Sequence, residues 1–214
     1  MILWGRASSV NVQKVLWALD EFGATYEHRI VGGKYGGFDD PDFAKLSPIK
    51  RIPVLEDGGL GVWESHAVLR HLARRLPDHP LGRSYADFTQ AAQIDSWLDF
   101  VTSTLQPPFI GLFWQLVRMT EAQRNLALVE AHLAALTEGL TVLETVLADG
   151  RDHLVGSDLS IADIGVATML YRLFDVAPQL SQTAPKVSAW HAKMAARPAY
   201  ARHVAVGYDE LRPA

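Results

Sequence analysis

The sequence has no cysteine among its 214 residues. This absence excludes disulfide bridges, thiolate zinc sites, iron–sulfur clusters and a cysteine nucleophile supplied by the protein. An excess of positive charge is also missing, because 20 basic residues stand against 24 acidic ones and the formal net charge is −4. We therefore expect no nucleic-acid partner and no binding to an anionic membrane surface.

Targeting segments and metal-ligand motifs are missing as well. The opening Met1-Ile2-Leu3-Trp4-Gly5 has no charged region before it and no small-residue cleavage site, so it predicts a strand rather than an export signal. We find no uninterrupted apolar run of the length that a membrane helix needs. The eight histidines are scattered and form no HExxH-like pair, so no metal site is expected. Cytoplasm is the expected location.

The first third of the chain alternates strand and helix signals. Its apolar periodicities predict strands at 2–4, 26–31, 52–56 and 60–63 and helices at about 11–22, 39–46 and 64–76. Asn11 is the expected cap of the first helix. The order is βαβ and then ββα, with a hairpin turn at Asp57-Gly58-Gly59. A crossover and a hairpin together predict a mixed four-stranded sheet of α/β class.

The remainder of the chain is predicted to be an all-α helical bundle. A helix from Phe88 to about Leu105 should end at Pro107-Pro108. Between 126 and 147, leucines recur every three or four residues. This spacing predicts a long helix on which they form a leucine stripe that faces the core. Ser160-Ile161-Ala162-Asp163 has the pattern of a capping box. Two further helices are expected at 185–196 and 198–204. The predicted organisation is a first domain at 1–77, a linker at 78–84 and a helical domain at 85–214.

A first cluster of polar residues lies where the first strand turns into the first helix. Ser8, Ser9 and Asn11 fall at a helix N-terminus, where backbone N–H groups and the helix dipole favour an anion. A hydroxyl there can donate a hydrogen bond to a bound thiolate. The alternative is that Ser9 and Asn11 only cap the helix, and spacing alone favours that alternative.

A second cluster of candidate ligand-binding residues surrounds the hairpin. A cis bond before Pro53 would free the backbone of Ile52 to pair with an extended peptide ligand. Glu64 can neutralise an ammonium group, and Ser65 at the next helix N-terminus can hold a carboxylate. Taken alone, Glu64-Ser65 is also typical of a helix cap, and Ile-Pro of a trans turn.

Together these segments resemble the glutathione S-transferase family, in particular its serine-type cytosolic members of theta-like and bacterial origin. The resemblance covers essentially the whole chain. The segments that carry it are 8–17 (SSVNVQKVLW), 47–55 (SPIKRIPVL), 63–68 (WESHAV), 159–164 (LSIADI) and 197–200 (RPAY). It implies a thioredoxin-like first domain and a helical second domain, which agrees with the periodicities.

The resemblance also assigns roles to single residues. It implies that Ser9 activates the sulfur of glutathione together with Asn11. It implies that glutathione, a co-substrate, is held by the following residues: Lys50, Ile52, Pro53 in a cis bond, Glu64 and Ser65. Tyrosine-type and cysteine-type members place other groups at the sulfur. Neither a tyrosine after the first strand nor any cysteine is present here, so Ser9 is favoured and Ser8 stays an alternative.

The resemblance further implies a pocket for a hydrophobic electrophile between the two domains. Arg6 and Ala7 would form one wall, and Phe109, Phe113 and Trp114 the other; the alternative is that these aromatic residues are bundle core. The implied protein is a detoxifying transferase that acts as a homodimer, and no metal is implied. Two other functions stay open: a glutathione-dependent disulfide or peroxide reductase, and a non-catalytic relative that binds glutathione.

Overall fold

Four short strands form one mixed sheet in the first third of the chain, in a computed structural model that describes residues 1–213. The strands are β1 (Ile2–Trp4), β2 (Glu27–Arg29), β3 (Val54–Asp57) and β4 (Leu60–Trp63). Their order is β2-β1-β3-β4, with β1 parallel to β2 and antiparallel to β3, and β3 antiparallel to β4. The predicted crossover and hairpin are therefore both confirmed.

Two of these strands are shorter or shifted relative to the prediction. Strand β3 begins at Val54 rather than at 52, because Pro53 has no N–H to donate to the ladder. Strand β2 ends at Arg29, since its partner β1 ends at Trp4 and the register pairs these two residues. The sheet is therefore small, and its central strand β1 leads directly into the loop at 5–9.

Three helices flank the sheet: α1 (Val10–Glu21), α2 (Pro41–Leu46) and α3 (Ser65–Arg75). Helix α1 is capped by Ser9, so the predicted cap at Asn11 is wrong. Asn11 lies inside the first turn, because the residue with extended backbone angles that precedes the helix is Ser9. Both α1 and α3 contribute to the same apolar core as β1 and β3.

The rest of the chain is helical, as predicted. Its helices are α4 (Pro80–Ala86), α5 (Phe88–Phe100), α6 (Gln106–Phe113), α7 (Leu126–Val146), α8 (Ile161–Val176), α9 (Pro178–Thr183), α10 (Pro185–Ala195) and α11 (Pro198–His203). The predicted linker at 78–84 contains the first turns of α4. The predicted fold class, a mixed-sheet domain followed by an all-helical domain, is confirmed.

The helix that begins at Phe88 does not end at Pro107-Pro108, and this part of the prediction is wrong. A π-helical turn at Val101–Leu105 connects α5 to α6, and a second π-helical turn at Trp114–Arg118 extends α6. The two prolines fall in the first turn of α6. The wider π turn there changes the hydrogen-bond register, so the helix passes through positions that lack an N–H donor.

The leucine stripe of α7 is fully buried only along its second half. Leu136, Leu140 and Leu143 are buried, whereas Leu126 is 70% exposed. The helix with its terminal turn, Leu126–Asp149, also has the length and the mean hydropathy, 1.5, of a membrane span, with 22% of that window buried. Glu130, Glu138 and Glu144 interrupt its apolar residues, so the expectation, which concerned an uninterrupted apolar run, does not conflict with this finding. Helix α7 packs against α6 and α10 of the bundle.

Helix α8 joins the two parts of the fold. Ser160 and Asp163 form the predicted capping box at its start. The helix packs against α1 and α5, and one continuous apolar core includes residues of both parts. Helix α11 also packs against α1, where Trp17 of α1 and Tyr200 of α11 meet edge to face with their ring centres 4.9 Å apart. The loop at 5–9 is therefore held between the sheet and the bundle.

Candidate active site

Ser9 is a helix cap by position, but its side chain does not act as one. Its backbone is extended (φ −84°, ψ 123°), and its hydroxyl makes no capping bond to the first turn of α1. The carbonyl of Ser9 accepts the bond from the N–H of Gln13 that begins the helix. The hydroxyl and the N–H groups of the first turn are thus left for a ligand at this helix terminus.

Ser8 differs from Ser9 because its polar groups are already bound. Its hydroxyl accepts a hydrogen bond of 2.9 Å from Nη1 of Arg6, and its carbonyl accepts one of 2.8 Å from Nη2 of Arg172. The side chain of Ser8 is also more deeply buried, since the residue is 8% exposed. The hydroxyl that is free of such contacts at this turn is that of Ser9.

A contact between Asn11 and Ser65 joins the two predicted clusters, the one at the start of α1 and the one around the hairpin. Ser65 is the first residue of α3, is 5% exposed, and places its Oγ 3.5 Å from Oδ1 of Asn11. Glu64 precedes it, is exposed, and makes no side-chain cap. The hydroxyl of Ser65 and the carboxylate of Glu64 therefore lie at a helix N-terminus beside α1, where a group of either charge can be bound.

Two residues predicted to bind glutathione have unusual backbone angles. Glu64 has φ +69° and Lys50 has φ +47°, and they are the non-glycine residues with positive φ among residues 1–213. Such angles are unfavourable and concentrate at ligand sites. The Ile52–Pro53 peptide bond is cis, as predicted. The side chain of Lys50 is exposed, and its Nζ lies 2.8 Å from Oδ1 of Asp39.

A cavity of about 130 Å³ opens between the two parts of the fold, next to Ser9. The residues that line it are Arg6, Ser8, Ser9, Val10, Phe109, Ile110, Phe113, Trp114, Arg118, Arg172 and Leu211. Phe109 and Phe113 are buried and belong to the core as well, whereas Trp114 is 51% exposed. The two interpretations of these aromatic residues are thus compatible. Ala7 is exposed and lies outside the residues that line the cavity.

Sequence reasoning missed the apolar Val10, Ile110 and Leu211 of this cavity and its two further arginines, Arg118 and Arg172. Arg172 is 2% exposed, and its guanidinium lies 4.9 Å from the centre of the Tyr208 ring. Its pKa is lowered to about 10, mainly by burial, with smaller contributions in the same direction from the charges of Arg6 and Arg118. The available signal was a single arginine in the run 164–173, which has no other charged residue; such an arginine marks a buried charge with a specific role.

A cluster of polar residues, the buried Lys14 and His66 together with Thr102, connects α1 to α3 and to the π-helical turn that follows α5. Nζ of Lys14 contacts Nε2 of His66 at 3.0 Å, and Nδ1 of His66 contacts Oγ1 of Thr102 at 3.0 Å. Burial lowers the pKa of Lys14 to about 7 and that of His66 to about 2. A neutral His66 can accept from Lys14 and donate to Thr102. Within residues 1–213, no three histidine, aspartate or glutamate side chains converge as metal ligands would.

Comparison with known proteins places both the sheet domain and the helical domain in one family. Residues 1–74 match the family model described as "Glutathione S-transferase, N-terminal domain". Residues 84–198 match the model described as "Glutathione S-transferase, C-terminal domain". These two matches include the turn at Ser9, the cis bond at Pro53, Glu64 and Ser65, and the helices that line the cavity. The chain belongs to the glutathione S-transferase family.

Individual relatives cover nearly the whole chain. Glutathione S-transferase GstB of Escherichia coli (strain K12) is 31% identical over 207 residues, which are 95% of this chain and 97% of that protein. Glutathione S-transferase 4 of Zea mays is 34% identical over 92% of this chain and 88% of its own length. A solved structure, the theta class glutathione S-transferase from Xanthomonas axonopodis pv. citri with glutathione bound, aligns with a TM-score of 0.86 and 34% identity, over 97% of this chain and 98% of that one.

Proposed function

We propose that this protein binds glutathione as a co-substrate, activates its thiol as a thiolate, and transfers the sulfur to an electrophilic carbon. The observation that carries this proposal is the free hydroxyl of Ser9 at the N-terminus of α1, beside a cavity between the domains. The thiolate forms a C–S bond with the electrophile, and the leaving group departs with the electron pair of the bond that breaks. The product is a thioether of glutathione.

The energy needed for thiol activation is modest. A free thiol has a pKa of about 8.5 and is only a few per cent thiolate at neutral pH. Lowering that pKa by about two units requires about 2.7 kcal/mol of preferential binding of the thiolate. Hydrogen bonds to a charged group contribute roughly 1.5–3 kcal/mol each. The hydroxyl of Ser9 together with an N–H of the first turn of α1 therefore suffices, and no strong base is required.

The rest of the glutathione molecule is bound by the residues around the hairpin. In this proposal the backbone of Ile52, beside the cis bond to Pro53, pairs with the cysteinyl unit of glutathione. Glu64 and Ser65 bind the ammonium and carboxylate of the γ-glutamyl end. Lys50 approaches the glycyl carboxylate. Asn11, whose Oδ1 lies 3.5 Å from Oγ of Ser65, connects the γ-glutamyl site to the helix that carries Ser9.

The proposal extends to organisation and location. It includes a glutathione-binding domain at 1–77, a linker at 78–84 and a helical domain at 85–214, of which Ala214 lies outside the described residues. It also includes a homodimer and a cytoplasmic location. Residues 1–77 supply the free hydroxyl and the peptide-binding groups, and residues 85–213 supply most of the apolar wall of the cavity.

Paired assays test the reaction type. One assay follows thioether formation between glutathione and an activated aryl halide, and the other follows reduction of a small mixed disulfide by glutathione. We expect turnover in the first assay to exceed turnover in the second. Turnover confined to the mixed disulfide would replace the transferase with a reductase. Glutathione binding without turnover in either assay would indicate a non-catalytic relative.

A further inference from the structure

Three arginines from separate parts of the chain meet at the cavity beside Ser9. Arg6 lies in the loop that follows β1, Arg118 ends the π-helical turn after α6, and Arg172 lies on α8. The aromatic residues predicted for this pocket share its walls with all three guanidinium groups. The cavity therefore carries two more positive charges, those of Arg118 and Arg172, than the predicted pocket, in which Arg6 was the one charged residue.

These charges lack partners of opposite sign. Within residues 1–213, none of the three arginines forms an ion pair with a carboxylate. Nε of Arg172 is buried and has no hydrogen-bond partner among the described residues. A buried charge and a buried unpaired donor are both unfavourable. An anion in the cavity would offset the positive charge of the three arginines that line it.

The carboxylate whose charge acts on Arg6, that of Glu210, is already paired with another residue. Glu210 acts on Arg6 through its charge, but its Oε2 lies 2.8 Å from Nζ of Lys34 and accepts a bond of 3.2 Å from the hydroxyl of Tyr35. The bond from Lys34 is the largest cause that lowers the pKa of Glu210 to about 2. Glu210 is thus ionised and already paired, and the cavity keeps a positive charge.

We propose that the electrophile of this enzyme carries a carboxylate, and that Arg118, Arg172 and Arg6 bind this group while Phe109 and Trp114 contact the apolar body. The proposal rests on the proposed function and names its substrate class: aralkyl or alkyl halides with a carboxylate. Guanidinium groups suit a carboxylate because their paired N–H donors match its two oxygens. In the reaction the thiolate forms a bond to the carbon, the halide leaves with the electron pair of the carbon–halogen bond, and the carboxylate is unchanged.

Two probes of the same shape test the proposal. They are 4-(bromomethyl)benzoate and 4-(bromomethyl)benzamide, which differ in charge but share the reacting carbon. We expect kcat/KM for the benzoate to exceed that for the benzamide by about tenfold, which is about the contribution of one charge-assisted hydrogen bond. The variant R118Q should bring this ratio close to one, and R118K should retain part of it. The exposed Arg83 on α4 supplies the matched control, since R83Q should keep the wild-type ratio.

Two results would overturn the proposal. One is equal use of both probes by the wild type. The other is a ratio that R118Q leaves unchanged while the KM for glutathione rises, because the arginines would then bind a carboxylate of glutathione itself.

A binding measurement separates this proposal from the proposed function. The glutathione-saturated protein is titrated by calorimetry with the unreactive 4-methylbenzoate and 4-methylbenzamide. Tighter binding of the benzoate that R118Q abolishes supports the anion site even if no thioether forms in any assay. Equal binding of the two compounds contradicts it even if the protein turns over a neutral aryl halide.

Discussion

Nη2 of Arg172 donates a hydrogen bond of 2.8 Å to the carbonyl oxygen of Ser8, 164 positions earlier in the chain. The bond joins α8 of the helical bundle to the loop that follows β1. Ser8 is thereby fixed from one side by Arg172 and from the other by Arg6, whose Nη1 donates to its hydroxyl. Ser9, the next residue, is held at the mouth of the cavity with its own hydroxyl free of a capping bond.

The variant S9A should raise the pKa of the bound thiol. The hydroxyl stabilises the thiolate, so its loss should raise that pKa by about one unit, equivalent to about 1.4 kcal/mol. Transferase activity at neutral pH should fall and should recover in part at higher pH, where alkali supplies the thiolate. Ultraviolet absorbance of the thiolate against pH measures the shift directly. Glutathione affinity should change much less, because its peptide is bound elsewhere.

The neighbouring variants S8A and N11A are the controls for S9A. The hydroxyl of Ser8 is already bound by Arg6, and Asn11 lies beside Ser65, so neither variant should shift the thiol titration as much. A shift in S8A or N11A with S9A unchanged would transfer the role to that neighbour. No shift in any of the three would leave the N–H groups and dipole of α1 as the source of stabilisation.

The variant S65A should weaken glutathione binding. Ser65 is 5% exposed at the first position of α3, and a charged ligand group there would lose a hydrogen bond. We expect a loss of roughly 1–3 kcal/mol in binding free energy. Calorimetric titration with glutathione measures it. The exposed Ser157 provides the control S157A, and an affinity equal to that of this control would remove Ser65 from the site.

Local sequence signals predicted the sheet and most helices because they depend on near neighbours. Alternation and turn residues define β1 to β4, and the Ser160–Asp163 spacing defines the start of α8. The continuation of the helix through Pro107-Pro108 was not predictable in this way. It depends on the π-helical turn at Val101–Leu105, just before the prolines, in a helix that packs against the distant α7.

The candidate site was predictable only where a motif carries it. Ser9, Pro53 and Ser65 lie in such motifs. Arg118 and Arg172 do not, because only the fold brings them from the helical part of the chain to the predicted Arg6. For the hydroxyl of Ser9, spacing favoured a cap, because a cap and a ligand donor occupy the same position, but in the structure this hydroxyl makes no capping bond.

The variant D163N should destabilise the fold. Asp163 is fully buried, and its carboxylate accepts three hydrogen bonds of 2.8 Å, from the N–H of Leu154 and from the N–H and hydroxyl of Ser160. In the asparagine side chain an NH2 group replaces one of the two carboxylate oxygens, so a hydrogen-bond donor faces another donor. We expect a loss of about 2–4 kcal/mol in the free energy of unfolding, measured with urea. The exposed Asp158 gives the control D158N, and equal stabilities of the two variants would show that the buried carboxylate contributes nothing specific.

Lys14 should make stability depend on pH between about 7 and 10. Burial lowers the pKa of Lys14 to about 7 in the folded protein, below its ordinary value of 10.5 in the unfolded chain. Between these values the unfolded chain binds a proton that the folded protein does not, so the free energy of unfolding should increase with pH, by at most about 1.4 kcal/mol per unit. The variant K14M fills the same space without a titratable group and should lose most of this increase, and it should be at least as stable as the wild type at pH 7. The exposed Lys45 supplies the control K45M, which should keep the wild-type slope in urea denaturation at several pH values. A slope that K14M leaves unchanged would mean that Lys14 keeps its proton throughout this range through its contacts with His66 and Gln106.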